Sequence, residues 1–121
     1  MGPVKIGEHV FSFPEGCHLE ASTVACHGTV EDLGNPGVFA FRNDTASRGF
    51  AYLGGENMAF TDAFFLPHSF VATLNPARPM SFRIAFPDNG KGATTADLVV
   101  SLNWRDGNDS GITIPNVPIN R

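Results

Sequence analysis

The chain has 121 residues, a formal net charge of −4 and only 17% charged residues, as fits one domain that builds its own core. It contains neither a basic run that would contact a nucleic-acid backbone nor an apolar run long enough for a transmembrane helix. Residues 1–5 lack the plan of a signal peptide, so we expect a virion or cytoplasmic protein, or one whose leader has been removed.

The first thirty residues predict two or three strands. Residues 4–13 form the first of these, and residues 17–30 form one or two more. If the chain turns at Ala21 and Ser22, Cys17 and Cys26 fall opposite each other and can form a disulfide. Two reduced, buried thiols are the alternative, because Ala-Ser is a poor two-residue hairpin turn.

The middle of the chain continues with short strands and one ambiguous stretch. Residues 38–41 are apolar on both faces, as in a strand that is buried between layers or lies at an interface. Residues 49–53 predict a further strand. Residues 56–66 are the only stretch that fits a helix, and a pair of strands is the alternative for them.

Residues 80–86 and 94–104 carry the clearest strand pattern, because apolar and polar side chains alternate in both. Every second residue is apolar and should face one side of the strand: Met80, Phe82, Ile84 and Phe86 in the first run, and Leu98, Val100, Leu102 and Trp104 in the second. The Gly-rich turn between the runs predicts a hairpin. The two prolines of the tail confine residues 115–119 to a sheet edge or to a position outside the sheet.

This pattern predicts an all-β fold with eight or nine short strands and at most one short helix. Turn signals every eight to twelve residues are typical of an antiparallel β-sandwich. We therefore expect a single sandwich domain over residues 1–121, of the jelly-roll type, with an immunoglobulin-like sandwich as the alternative.

Three histidines, His9, His18 and His27, recur nine residues apart. Imidazole suits zinc, but an odd spacing places successive histidines on alternate faces of a continuous strand. The spacing also matches no common zinc pattern. Pro14 and Gly28 interrupt the run, so the sequence does not fix the faces, and we expect ordinary, partly buried histidines.

An acidic loop near the C-terminus has the residue types of a calcium site. Asp106, Asn108 and Ser110 place oxygen-bearing side chains at alternate positions, and Asp109 adds a carboxylate. An EF-hand is excluded, because the position of its closing glutamate is occupied by Val117. A calcium site completed by another loop remains open, and a polar hairpin turn is the alternative reading.

Residues 107–111 resemble the late calcium loop of the small soluble galactose-binding bacterial lectins, which are jelly-roll tetramers. The upstream His/Asp sugar motif of that family has no match in this chain. The resemblance implies a calcium-assisted sugar site. From the residues themselves, the loop that completes it would be the one with Asp88 and Asn89 or the one with Asn43 and Asp44. The single Trp and the single Tyr of the chain, Trp104 and Tyr52, are the candidates for a stacking face in such a site.

We expect no catalysis and no cofactor, with calcium as the alternative. The chain has no Gly-x-Ser-x-Gly elbow, no His-Glu-x-x-His and no phosphate-binding Gly-rich loop. Its neighbouring carboxylates, such as Glu31 and Asp32, lie in turn-like sequence, where solvated acids are ordinary.

The aromatic and cationic composition favours assembly. Eleven phenylalanines stand against two lysines, and lysine is depleted at protein interfaces. We predict a structural protein, a homotrimer or homodimer that packs on a larger shell as virion decoration (cement) proteins do. A carbohydrate-binding module or lectin is the alternative, with a glycan as partner. The predicted interface residues are Phe39, Phe41, Phe60, Phe64, Phe65 and Phe70.

Overall fold

A computed structural model describes residues 2–7, 9–32, 37–41, 49–66, 71–74, 78–104 and 109–121. Within these ranges the chain forms twelve strands and no helix, so the all-β prediction is confirmed. The strands are β1 (Val4–Ile6), β2 (His9–Ser12), β3 (Cys17–Glu20), β4 (Thr23–Asp32), β5 (Gly37–Phe41), β6 (Gly49–Leu53), β7 (Glu56–Ala59), β8 (Asp62–Phe65), β9 (Val71–Leu74), β10 (Met80–Pro87), β11 (Thr95–Trp104) and β12 (Asp109–Asn120).

The strand count exceeds the expected eight or nine for two local reasons. The predicted first strand is divided into β1 and β2 around Gly7, whose φ of 62° suits a glycine in a turn. Residues 56–66 form β7 and β8, which is the strand alternative to the helix considered for this stretch.

Eleven of the described strands fall into two hydrogen-bonded sets, and β12 joins them. The first set holds β1, β2, β3, β4, β8 and β10, and the second holds β5, β6, β7, β9 and β11. β12 pairs antiparallel with β11 and parallel with β3, where Ile119 lies opposite Cys17. The expectation of purely antiparallel pairing is therefore wrong at β3 and β12, because β12 runs on past its ladder with β11 and reaches β3.

The hairpin predicted between β10 and β11 does not form. β10 pairs with β4 and β8, whereas β11 pairs with β12, β5 and β6. The intervening segment crosses from the first set to the second, and Asn89 Nδ2 fixes it by donating to the Leu53 carbonyl at 2.8 Å. Alternation of apolar residues reports which face a strand buries but not its pairing partner, and the prediction failed for this reason.

Side chains of both sets contribute to one buried apolar cluster. The inward-facing side predicted for β10 and β11 is confirmed where the side chains are described. Phe82, Ile84, Phe86, Leu98 and Val100 are all buried. Full burial of each such side chain contributes about 1.5–3 kcal/mol to folding. On the opposite side of β10, Ser81 is exposed and Arg83 is partly exposed.

Candidate functional site

The hairpin of β3 and β4 positions a cluster of polar side chains on one face. Glu20 lies opposite Thr23, so the chain turns at Ala21 and Ser22 as the sequence suggested. Ala21 has a φ of 56°, a conformation that L-residues adopt at some cost. Cys17 and Cys26 lie opposite each other with Cα atoms 4.1 Å apart, and they form a disulfide.

The disulfide sets the position of two histidines on the outer face of this hairpin. Cys17 and Cys26 are fully buried, so they point into the core. His18 and His27 each follow one of these cysteines, and successive side chains of a strand point to opposite faces. Both imidazoles therefore face outward, where their rings stack with centroids 5.5 Å apart and planes inclined by 6°.

Glu20 completes a cluster with the two imidazoles. His18 Nε2 donates a hydrogen bond to Glu20 Oε1 at 2.9 Å. Arg83, which lies opposite His27 on β10, donates from Nη2 to Glu20 Oε2 at 3.1 Å. One possible metal-ligand atom from each of His18, Glu20 and His27 lies within 4.8 Å of the others.

The electrostatics of the cluster favour an ionised Glu20. The hydrogen bond from His18 holds the pKa of the Glu20 carboxyl below its ordinary value of 4.5, although desolvation acts in the opposite direction. The positive charge of Arg83 and charge on His18 and His27 lower this pKa further. A carboxylate and two imidazoles can bind a cation, and protonated imidazoles can equally pair with the carboxylate.

An open groove of about 250 Å³ adjoins His27 on the same side of the molecule. It is lined mainly by apolar atoms, and Leu66 on its rim is 43% exposed. Gly28 lines the groove, and a Cβ atom at this position would lie 2.9 Å from the ring of Phe82. Only a glycine therefore lets β4 lie this close to the core beneath it.

The histidine arrangement differs from the sequence expectation. His18 and His27 lie on neighbouring strands rather than on one continuous strand, so their odd spacing still places them on one face. His9 lies on β2, is only 8% exposed and does not belong to the cluster. Glu20 was not predicted from the sequence as a site residue, although the hairpin register inferred from the two cysteines places it beside His18.

A second surface surrounds Tyr52, which is 50% exposed. On β11, Asp97 lies opposite Tyr52 and its Oδ1 atom accepts the backbone N–H of Asn116 at 2.8 Å. The register of β11 and β12 shifts beside Asp97, and Asn116 has a φ of 55°. These three residues line an open pocket of about 240 Å³ together with Gly54, Gly55, Thr95 and Ala96.

The predicted calcium loop lies largely outside the described residues. This is true of Asp106 and Asn108, while only the backbone of Asp109 and Ser110 is described, at the start of β12. In that backbone Asp109 pairs with Asn103. The calcium site accordingly stays a prediction.

Of the residues considered for completing that calcium site, Asp88 and Asn89 make other contacts, and Asn43 and Asp44 lie outside the described residues. Arg121 binds Asp88 in a bidentate pair, with nitrogen–oxygen distances of 3.0 and 3.2 Å. This hydrogen bonding holds the pKa of Asp88 below its ordinary value of 3.8. Asn89 holds the carbonyl of Leu53 and accepts the backbone N–H of Lys91 at 3.2 Å. Both side chains therefore stabilise the connection between β10 and β11.

The predicted interface phenylalanines do not share one environment. Phe60 and Phe65 are 1% exposed and belong to the core, so within this chain they offer almost no surface to a partner. β8 turns alternate side chains inward, which buries Phe65. Phe60 lies between β7 and β8, and its ring centroid is 6.2 Å from that of the buried Phe86. Phe64 is half-buried on the opposite parity of β8. The side chains of Phe39, Phe41 and Phe70 lie outside the described part of the chain.

Comparison with models of protein families, with curated proteins and with solved structures finds no match to this chain. None of the described residues belongs to a helix long and apolar enough to cross a membrane.

Proposed function

We propose that this protein is a non-catalytic carbohydrate-binding domain and that it recognises sugar at the pocket around Tyr52. The observation that carries the proposal is the exposed Tyr52 ring beside a carboxylate and an amide in one open pocket. Protein sites for small ligands combine an apolar or aromatic surface with a few convergent polar groups. The Tyr52 pocket has this composition.

Each member of the pocket has a role suited to a sugar. The ring of Tyr52 offers a flat face on which the C–H groups of a pyranose can stack. Asp97 is held in place by the N–H of Asn116, and a carboxylate can accept further hydrogen bonds from sugar hydroxyls. Asn116 is exposed and adds an amide that both donates and accepts.

This pocket differs from the sugar site implied by the acidic loop. Asp97 and Asn103, the partner of Asp109, are six residues apart on β11, which corresponds to about 20 Å along a strand. Sugar binding at the Tyr52 pocket needs no calcium, whereas binding at the acidic loop would need it. The two versions of the lectin hypothesis can therefore be separated with a chelator.

A glycan array with and without calcium tests the proposal, followed by titration of variants with any glycan that binds. We expect binding that survives chelation and that Tyr52→Ala weakens at least about tenfold. Tyr52→Phe keeps the stacking ring and should retain most affinity, and Leu19→Ala is a control at another exposed apolar residue. A blank array, or binding unchanged in both Tyr52→Ala and Asp97→Asn, would contradict the Tyr52 site.

The assembly protein predicted from composition is the second candidate function. The edge of β8 favours it, because in the described part of the chain β8 pairs with β10 alone. Half-buried Phe64 and exposed Leu66 lie on and beside this strand. An apolar sheet edge can pair with a second chain, as a homo-oligomer on a larger shell would require. Light scattering after size exclusion should then show a dimer or trimer that Leu66→Asp dissociates; a monomer at high concentration would contradict assembly.

For the architecture we propose that the two strand sets pack face to face as a sandwich, of the jelly-roll type or of the immunoglobulin-like alternative. The shared apolar cluster supports this proposal, since β10 of the first set and β11 of the second both contribute to it. An experimental structure that gives the packing of the two sets tests it.

A further inference from the structure

We propose that His18, Glu20 and His27 bind a divalent transition-metal ion of the zinc class on the outer face of the β3–β4 hairpin. One ligand atom of each residue lies within 4.8 Å of the others. Ligands of a tetrahedral zinc ion lie about 3.4 Å apart, as follows from bond lengths of about 2.0–2.2 Å. The exposed side chains therefore need to approach one another by about 1.4 Å at most.

The ligand set selects the class of metal. Two imidazoles and one carboxylate match zinc and the neighbouring borderline ions such as Co²⁺ and Ni²⁺. Calcium and magnesium prefer sites made entirely of oxygen atoms. The same three side chains therefore discriminate against the calcium that the acidic loop would bind.

The fold holds the backbone of the ligands in place before any ion arrives. Cys17 precedes His18, Cys26 precedes His27, and the disulfide joins these two cysteines on the core side of the same strands. On the other side of β4, the pairing of Arg83 with His27 fixes β4 against β10. A metal site on covalently joined strands loses little conformational entropy on binding.

The charges around the cluster are compatible with a bound dication. Arg83 holds Glu20 Oε2 and so directs Oε1 toward His18, as an outer hydrogen-bond partner of a metal ligand does. Arg83 itself carries a positive charge, which Glu20 offsets, and Glu15 lines the groove beside His27. To ligate through Nε2, a neutral His18 shifts its ring proton to Nδ1 and remains a neutral imidazole, whereas a protonated His18 first releases one proton to solvent. Affinity should therefore fall as the imidazoles become protonated.

Three protein ligands leave a fourth coordination position of a tetrahedral ion for water or another small ligand. The groove that adjoins His27 has room for such a ligand. This site shares no residue with the Tyr52 pocket, so the inference does not rest on the proposed function.

Isothermal titration of the untagged protein with Zn²⁺ at about pH 7.5, above the ordinary pKa of histidine, tests the site. We expect one ion per chain, with affinity lowered at least about tenfold in His18→Gln, in His27→Gln and in Glu20→Gln. The double variant His18→Gln/His27→Gln should not bind. Co²⁺ should give the visible absorption of a tetrahedral site, and Ca²⁺ should not bind there.

Glu56→Gln is the matched control, because Glu56 and Glu20 have the same side-chain exposure of 46% and each pairs with a cation. It should bind Zn²⁺ as the wild type does, and circular dichroism should show that every variant remains folded. The inference is overturned if the wild type does not bind Zn²⁺, or if binding persists unchanged in the double histidine variant.

Discussion

His18 and His27 stack ring against ring because each follows one half of the same disulfide. The bridge between Cys17 and Cys26 fixes the register of β3 and β4, and this register brings the imidazoles to a centroid distance of 5.5 Å. A covalent bond on the core face thus determines which groups meet on the outer face. The predictions below concern this hairpin and the contacts that hold it in the fold.

The pKa of Glu20 should depend on its partner His18. Because the hydrogen bond from His18 is the largest cause of the lowered pKa, His18→Ala should raise the Glu20 pKa toward 4.5. A lowered carboxyl pKa stabilises the fold above the unfolded value, and the contribution is lost as pH falls through the folded value. Carbon-detected NMR titration of the Glu20 carboxyl measures both pKa values. An identical pKa in wild type and variant would contradict the hydrogen bond.

Removing the disulfide should destabilise the protein substantially. The bridge joins residues nine apart, and closing a loop of about this size contributes about 2–3 kcal/mol. Cys17→Ala/Cys26→Ala should therefore lower the midpoint of urea unfolding. A reductant should produce a similar decrease in the wild type and none in the variant. Two free thiols in the untreated wild type would contradict the bridge.

A comparison of Gly16 with Gly7 measures how much close backbone packing contributes to stability. Both have positive φ, at 65° and 62°, but a Cβ at Gly16 would lie 2.6 Å from the Pro118 carbonyl oxygen, whereas one at Gly7 meets nothing. Gly7→Ala should therefore cost about 1 kcal/mol for its backbone conformation. Gly16→Ala should cost about 3 kcal/mol, because β12 must also shift. Equal losses in urea unfolding would show that Pro118 is not so close.

The pair of Asp88 and Arg121 should stabilise the crossing between the two strand sets. Arg121 donates two bonds to Asp88 and a third from Nε to the Ala93 carbonyl at 2.6 Å, a geometry that lysine cannot reproduce. Arg121→Lys should therefore lower the melting temperature by about 2–5 °C. Asp88 has a lowered pKa, so its contribution is present above pH 3.8 and is lost as pH falls through the folded value.

A double-mutant cycle with Asp88→Asn and Arg121→Ala isolates this pair from other effects of each change. We expect a favourable coupling near neutral pH that disappears in strong acid. Additive effects of the two changes at every pH would show that the pair contributes nothing.

The strand pattern predicted the faces of the fold better than its connections. Alternation placed Phe82 and Leu98 in the core correctly, because burial of every second residue is a local property of a strand. The partners of β10 and β11 depend on residues far away in the chain, and no local pattern reports them. The same limit applies to the parallel contact of Ile119 with Cys17.

The candidate metal site could have been predicted from the sequence. The turn at Ala21 and Ser22 already implied that Cys17 and Cys26 lie opposite each other, and from this the common face of His18 and His27 follows. The shared face was not predicted because the spacing argument treated the histidines as members of one continuous strand. The contribution of Arg83 was not predictable, because it depends on the pairing of β10 with β4.

The position of β12 has a consequence for biosynthesis. Among the described strands it alone pairs with both sets, and it is the last to leave the ribosome. At roughly 5–20 residues per second, the earlier strands wait for seconds with the edges of β3 and β11 uncovered. A second nascent chain on the same messenger can donate its own β12 to these edges, so exchange of this strand is the expected route to misassembly.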